Sequence, residues 1–199
     1  MGRPDKRNLI TTAAVDVFAE KGFHQSRISD IARKAGVADG TIYLYFKNKE
    51  DLLLSIFEEK MDYLLSELGQ ALEGVDDPIE RVRCYARFHF RHIRENPAAA
   101  EVLQVELRLS NKFLKEYRPE KLWAYLNVFG QSIREGQSRG LFRDDIEPFV
   151  AMWAFFGAMD ELAMQWVLSR KGELFSLDSA ADMVADIFIR GMRPAMDAT

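Results

Sequence analysis

Apolar residues recur along this chain with the period of α-helices, and no stretch sustains the alternation of a strand. Leu9/Ile10, Ala13/Ala14 and Val17/Phe18 form the stripe of a first amphipathic helix, which ends at Lys21-Gly22. Ile28, Ile31, Ala32 and Ala35 fall at i, i+3, i+4 and i+7 and predict a second, short helix. Gly36 stops it, because glycine takes the left-handed C′ conformation without a Cβ penalty. Ile42 and Phe46 are an apolar pair four residues apart, and the positions around them hold Gly40, Thr41, Tyr43 and Tyr45. Asn48 is placed to cap the next helix, with Asp51 three residues on.

From Lys49 to about Leu72 one helix buries Leu52, Leu53, Ile56, Phe57, Leu64, Leu65 and Leu68. Gly74 and Asp76-Asp77-Pro78 break the pattern, and Pro78 suits the first turn of a helix that runs to Asn96-Pro97. A helix from Pro97 reaches Ser110-Asn111, and another spans roughly Lys112 to Arg139, with Pro119 breaking or kinking it. A very apolar helix starts near Glu147-Pro148 and ends at Gly172, and the last helix runs from about Asp178 to Arg193. The expectation is an all-α chain of about nine helices. A three-helix head would occupy residues 1–50 and a larger helical body residues 51–199. Residues Glu101 to Asn111 do alternate, but a lone strand there has no partner. As a helix the segment puts Leu103 and Leu107 on one face and Gln104, Arg108 and Asn111 on the adjacent one.

Charge changes the picture more than composition does. The net charge of −4 argues against nucleic acid as a partner, but the distribution reverses that. The first fifty residues carry nine Lys/Arg and six Asp/Glu, a net +3, which leaves −7 for the rest. A basic head on an acidic body fits a DNA-binding segment joined to a separate one. No apolar run approaches the roughly 20 residues that span a bilayer, and MGRPDKR does not read as a signal peptide. The single cysteine, Cys84, excludes an intramolecular disulfide and a multi-cysteine zinc site. Both features point to the cytoplasm, with no membrane partner.

Helix, short glycine-containing turn, helix is the helix-turn-helix layout, whose second helix enters the major groove. The second helix here is too short to add much stability, yet its outward positions hold tyrosines where a surface helix carries Lys and Glu. Lys47 and Lys49 bracket the next helix N-terminus, where amide donors and the dipole favour a phosphate. The plain alternative is a three-helix bundle without a ligand.

The string Ala13-Ala14, Phe18, Lys21-Gly22-Phe23, Ile31-Ala32, Ala35-Gly36-Val37, Gly40-Thr41-Ile42-Tyr43, Tyr45-Phe46, Lys49-Glu50 and Leu52-Leu53 resembles the DNA-binding domain of the TetR family of bacterial transcriptional repressors. The resemblance implies that Thr41, Tyr43, Tyr45 and Lys49 contact DNA, mostly at phosphates, with Lys47 beside them. It places Asp39 and Gly40 closest to bases and adds phosphate contacts from Ser26, Arg27 and Ser29. It also implies a dimer on palindromic operator DNA and a small-molecule effector in the body. Where the family has a Ser or Thr cap this chain has Ala38, and Asp39 is the candidate replacement. The four-helix bundle expected of the last two helices and their copies would use Phe149, Trp153, Met183, Val184, Ile187 and Phe188.

The body holds candidate effector residues of two kinds. Arg83, Arg87, Arg91 and Arg94 form a basic stripe that reads either as a solvated face paired with Glu80 and Glu95 or as a phosphate landing site. Phe88, Phe156 and several methionines read as core or as the wall of an apolar pocket. Asp160 and Glu161, with Gln165, lie in the most apolar segment and must meet a ligand, a buried polar group or a dimer seam. The runs Ala38–Asp51, Gln104–Asn111, Phe156–Glu161 and Trp166-Val167 are similar to the acyl-CoA-responsive branch of the family that controls fatty-acid degradation. That likeness implies release from DNA by long-chain acyl-CoA. The effector contacts expected from the residues themselves are Arg87, Phe88, Arg91, Gln104, Leu107, Arg108, Asn111, Phe156, Asp160 and Glu161, with no cofactor. Two other readings stay open: a repressor answering to an apolar or cationic drug-like ligand, and an acyl-CoA-binding protein without DNA function. His89 and His92, at i and i+3, read as partly exposed helix residues, and no catalytic motif or metal-ligand set accompanies them.

Overall fold

The structure is a computed structural model that describes residues 5–107, 117–169 and 174–194, Glu106 by its backbone only. Among the described residues there are nine α-helices and no strand. They are α1 (Lys6–Lys21), α2 (Ile28–Ala35), α3 (Asp39–Ile42), α4 (Lys49–Ala71), α5 (Pro78–Glu95), α6 (Pro97–Glu101), α7 (Glu120–Ser138), α8 (Pro148–Leu168) and α9 (Leu177–Met192). The expected stops act where the sequence puts them. Gly36 is left-handed at φ +67°, and the amide of Val37 reaches back to the Ala32 carbonyl at 3.0 Å. Asn48 Oδ1 accepts from the Asp51 amide at 2.8 Å, and Asp51 accepts from the Lys47 amide at 2.9 Å. Pro78, Pro97 and Pro148 each open a helix.

Two expectations need correction. The helix from Pro97 is regular only to Glu101 and continues as one wider π turn over Val102–Glu106. Pro119 does not kink a longer helix but stands at the N-cap of α7, with Tyr117 and Arg118 non-helical before it. The rest of the stretch from 108 to 116, and the end expected at Gly172, lie outside the described residues.

The chain forms two compact units, residues 1–60 with 96–118 and residues 61–95 with 119–199, so α4 contributes to both. In the first, α1 packs on α2, α2 on α3, and α6 and its π turn return to lie against α1. Its core holds Ile10, Phe18, Ile31, Ile42, Phe46 and Leu52. In the second, α5 packs chiefly on α9 and α7, and α8 covers α7 and α9. Its centre is aromatic: Phe129 stacks on Phe155 at 4.1 Å, with Tyr85 and Phe188 edging in at 5.9 and 5.0 Å. Gly136, in the last turn of α7, is where the Phe142 ring closes on the helix. A Cβ there would fall 2.1 Å from Phe142 Cδ2.

Candidate functional site

In the first unit the turn and the short helix α3 present an exposed aromatic ridge. Ile42 and Phe46 point into the core, and Tyr43, Leu44 and Tyr45 are 57, 81 and 39% exposed. Leu44 was missed by the sequence reading. Its signal was its place off the Ile42/Phe46 face, where a leucine has no core to join. Asp39 and Gly40 are exposed and Thr41 is half-buried. A Cβ on Gly40 would meet no protein atom within 4 Å, so packing within the fold does not demand glycine there. What glycine offers at that place is bare backbone for a close approach from outside. Ala38 is the N-cap of α3, with no side chain capping the helix, so Asp39 does not take over that role.

Arg27 and Ser29 are exposed at the start of α2. Asp30 Oδ2 accepts from the Arg27 amide at 3.3 Å, and Asp30 is also paired with Lys21 at 3.1 Å and with Arg33. The hydrogen bond from Lys21, first of all, holds the Asp30 carboxyl below its usual range. Ser26 does not join this surface. It is 3% exposed, and its hydroxyl is turned to the carbonyls of Gly22 and Val17 at 2.7 and 3.2 Å. It closes the turn after α1, which leaves it no proton for a phosphate.

Lys47 is exposed, but Lys49 is engaged. The Lys49 ammonium donates to the carbonyls of Phe23, Ser26 and His24 at 2.6, 2.9 and 3.3 Å and lies 4.5 Å over the Phe23 ring. Three protons thus meet three carbonyls of the loop that leads into α2. Arg7 behaves similarly on α1, bonded to Glu59 at 2.9 Å and stacked 4.7 Å over Phe46.

The body residues separate into four places. Gln104 and Leu107 are buried in the first unit, on the segment that packs against α1. Arg108 and Asn111 lie outside the described residues. In the second unit a cleft of about 540 Å³ is lined by Cys84, Arg87, Phe88, Arg91, Asp178 and Asp182. The arginine stripe is paired, with partners on α9 that the sequence reading did not name: Arg87 bonds Asp182 at 2.7 Å, Arg94 bonds Asp178, and Arg83 lies 3.9 Å from Asp186 as well as 3.4 Å from Glu80. Arg91 makes no ion pair with a described residue and sits 5.6 Å over Phe88. Phe156 and Asp160 are half-buried on α8. Glu161 is exposed and accepts from Gln165 at 2.8 Å, so it does not line the interior of this unit.

His89 and His92 also depart from expectation, being 8 and 6% exposed. Val82, Tyr85, Ala86 and His89 stand at i, i+3, i+4 and i+7, so the helical period itself carries His89 inward. Burial pushes the His89 ring down to about 4, partly opposed by the Asp160 carboxylate. Among the described residues no group of three His, Cys, Asp or Glu is arranged to hold a metal, and no helix is long and apolar enough to cross a membrane. On the outer face of α8 and α9, Val150, Leu168, Met183 and Ile187 are exposed together with Phe149. Val184, expected on that face, is buried within the unit, and Phe188 packs on Phe155.

Comparison with known proteins matches this arrangement. The family described as bacterial regulatory proteins, tetR family, covers residues 10–56, and YsiA-like protein, C-terminal region, covers residues 57–191. The fatty acid metabolism regulator protein of Bacillus subtilis is 37% identical over 190 residues, 96% of each chain. The crystal structure of the regulator FadR from Bacillus subtilis in complex with stearoyl-CoA superposes with a TM-score of 0.86 at 36% identity, over 94% of this chain and 99% of that one. The fatty acid degradation regulator FadR of Bacillus halodurans gives 0.85 at 36% identity, with the same coverage.

Proposed function

The chain belongs to the TetR family of bacterial regulators, and on that footing we propose that it is a dimeric repressor of fatty-acid degradation genes, released from its operator by long-chain acyl-CoA. The observation that carries this reading is likeness over nearly the whole chain, head and body together, to a regulator crystallised with stearoyl-CoA. The protein works by binding in the cytoplasm, with no catalytic step of its own. Residues 1–50 supply the DNA contacts, and residues 51–199 supply the effector site and the dimer face.

On DNA, α3 and the turn after it enter the major groove. Asp39 and Gly40 face bases, and Thr41, Tyr43, Tyr45 and Lys47 hold the backbone, with Arg27 and Ser29 on the phosphates before α2. One helix this short reads few base pairs. Two heads on a two-fold axis, a helical turn of DNA apart, supply the affinity that one lacks. The exposed apolar stripe of α8 and α9, with Val150, Leu168, Met183 and Ile187, is the surface that pairs the two copies as a four-helix bundle.

The effector acts by binding more tightly to a head spacing that no longer fits successive grooves; equal affinity for both spacings would shift nothing. Gln104 and Leu107 suit the coupling, since their segment lies against α1 of the head unit. Arg87, Arg91, Phe88, Phe156 and Asp160 are the effector contacts proposed within the second unit, with Arg91 the arginine whose charge no described carboxylate answers. The test is a DNA-release titration with long-chain acyl-CoA, short-chain acyl-CoA and free fatty acid. Release at the lowest concentration by the long-chain thioester is expected, with affinity growing by up to about 0.8 kcal/mol per buried methylene. Equal release by free fatty acid would remove the phosphate role from the arginines. No release by any of the three would refute the effector class.

A further inference from the structure

The middle of α5 carries a buried donor that meets no acceptor among the described residues. The His89 ring is enclosed by aromatic side chains: Tyr125, whose hydroxyl lies 3.2 Å from Nδ1, Phe90 at 5.5 Å and Phe156 edge-on at 6.2 Å. Tyr85, also fully buried, turns its hydroxyl to the Tyr125 carbonyl at 3.2 Å. The proton assignment follows from this network. Tyr125 has one hydroxyl proton, and giving it to Nδ1 satisfies phenol and ring together. The imidazole proton then sits on Nε2. Because burial keeps the ring neutral at physiological pH, Nε2 is a neutral N–H donor. It has no hydrogen-bond partner among the described residues.

A buried donor without an acceptor is costly, and folded proteins keep few of them. Phenylalanine would remove the unused donor but leave the buried Tyr125 hydroxyl without its acceptor, so Nδ1 has a use within the fold. Nε2–H gains one only when something outside the fold brings an acceptor. Hydrocarbon brings none. In a long-chain acyl-CoA the acceptor at the head of the hydrocarbon is the thioester carbonyl oxygen.

We propose that His89 Nε2–H donates to the thioester carbonyl of the bound acyl-CoA and so distinguishes an acyl from an alkyl chain. This rests on the effector reading given above. His89 fixes where along the ligand the polar junction stops, while Tyr125 holds the ring in the tautomer that donates.

The experiment compares palmitoyl-CoA with hexadecyl-CoA, the thioether that has a methylene in place of the carbonyl and keeps every phosphate and amide. Binding to the full-length dimer is measured by calorimetry, and release from operator DNA by fluorescence anisotropy. The unmodified protein should favour the thioester by about tenfold, the worth of one neutral hydrogen bond in a dry site. His89→Phe should abolish that preference by weakening the thioester alone. His89→Gln, whose amide nitrogen falls near the place of Nε2, should retain most of it and guards against a Phe variant that fails to fold. Equal affinity of the unmodified protein for both ligands would overturn the proposal while leaving the effector reading intact. So would an equal loss for both ligands in His89→Phe, the result expected if Nε2 only holds a structural water. If palmitoyl-CoA itself neither binds nor releases DNA, the effector reading falls and this proposal with it.

Discussion

Lys49 offers the sharpest test of how the head is built. A lysine at the N-terminus of α4, beside the exposed Tyr43 and Tyr45, invites a phosphate role. Its ammonium is instead spent on the carbonyls of Phe23, Ser26 and His24 and on the Phe23 ring. Lys49→Met keeps the aliphatic stem and removes the charge. Hydrogen bonds to charged groups are worth about 1.5–3 kcal/mol each when well shielded. Two of the three here are only partly buried and water can replace the rest, so a total near 2 kcal/mol is expected. For a chain of this size that lowers Tm by about 4–8 °C. Operator affinity should fall as the loop before α2 loosens and Arg27 loses its fixed place. The salt dependence should not change, since no counterion-releasing contact is lost. Thermal denaturation paired with anisotropy titrations at several salt concentrations separates the outcomes. A Tm that holds, together with a log–log salt slope shallower by about 0.9, would show that Lys49 leaves the carbonyls for a phosphate and that the bracing role is wrong.

Gly136→Ala places a methyl 2.1 Å from the Phe142 ring; overpacking of this kind costs about 1–3 kcal/mol or more, so chemical denaturation should show a lower midpoint with the m-value unchanged. His89 titrates near 4 in the folded protein against 6.5 unfolded, so the unfolded chain gains the proton first as pH falls. Stability should therefore be full above about pH 6.5 and decline between 6.5 and 4, by up to about 3 kcal/mol, and His89→Phe should flatten that decline in urea melts. Ile187→Arg puts a charge in the exposed stripe of α9; sedimentation at micromolar concentration should show monomers with unchanged helicity, and a persisting dimer would move the interface elsewhere.

The helices were legible because their punctuation is local. Gly36, Asn48, Pro78, Pro97 and Pro148 act through backbone angles and caps within a turn of themselves, so the chain announces them without tertiary information. The exposed ridge at Tyr43 and Tyr45 was legible for the same reason. The partners of Ser26 and Lys49 were not legible because they are set by the approach of α1 and α4 across a loop: Lys49 reaches a carbonyl 26 residues back. Polarity suggested a surface for both, and long-range geometry assigned them to backbone. His89 was misread against its own helical period, since a titratable side chain was given more weight than its position on the inward stripe. The arginines of α5 needed α9 to be understood. Asp178, Asp182 and Asp186 repeat every four residues, but nothing in the sequence says which stripe on which helix they face.

That α5–α9 pairing also bears on how the protein is made. Arg87 and Arg94 find their aspartates 95 and 84 residues further along, on a helix made well after α5. The two helices run antiparallel, so the ladder works as a vernier: sliding α9 by one turn would strand a charge at each end. A nascent chain thus carries an unanswered basic stripe until α9 has been made. The α5–α9 pair can settle its register only then, as chains dominated by distant contacts do. The turn between α2 and α3, built from neighbours in sequence, can order itself long before α9 is made.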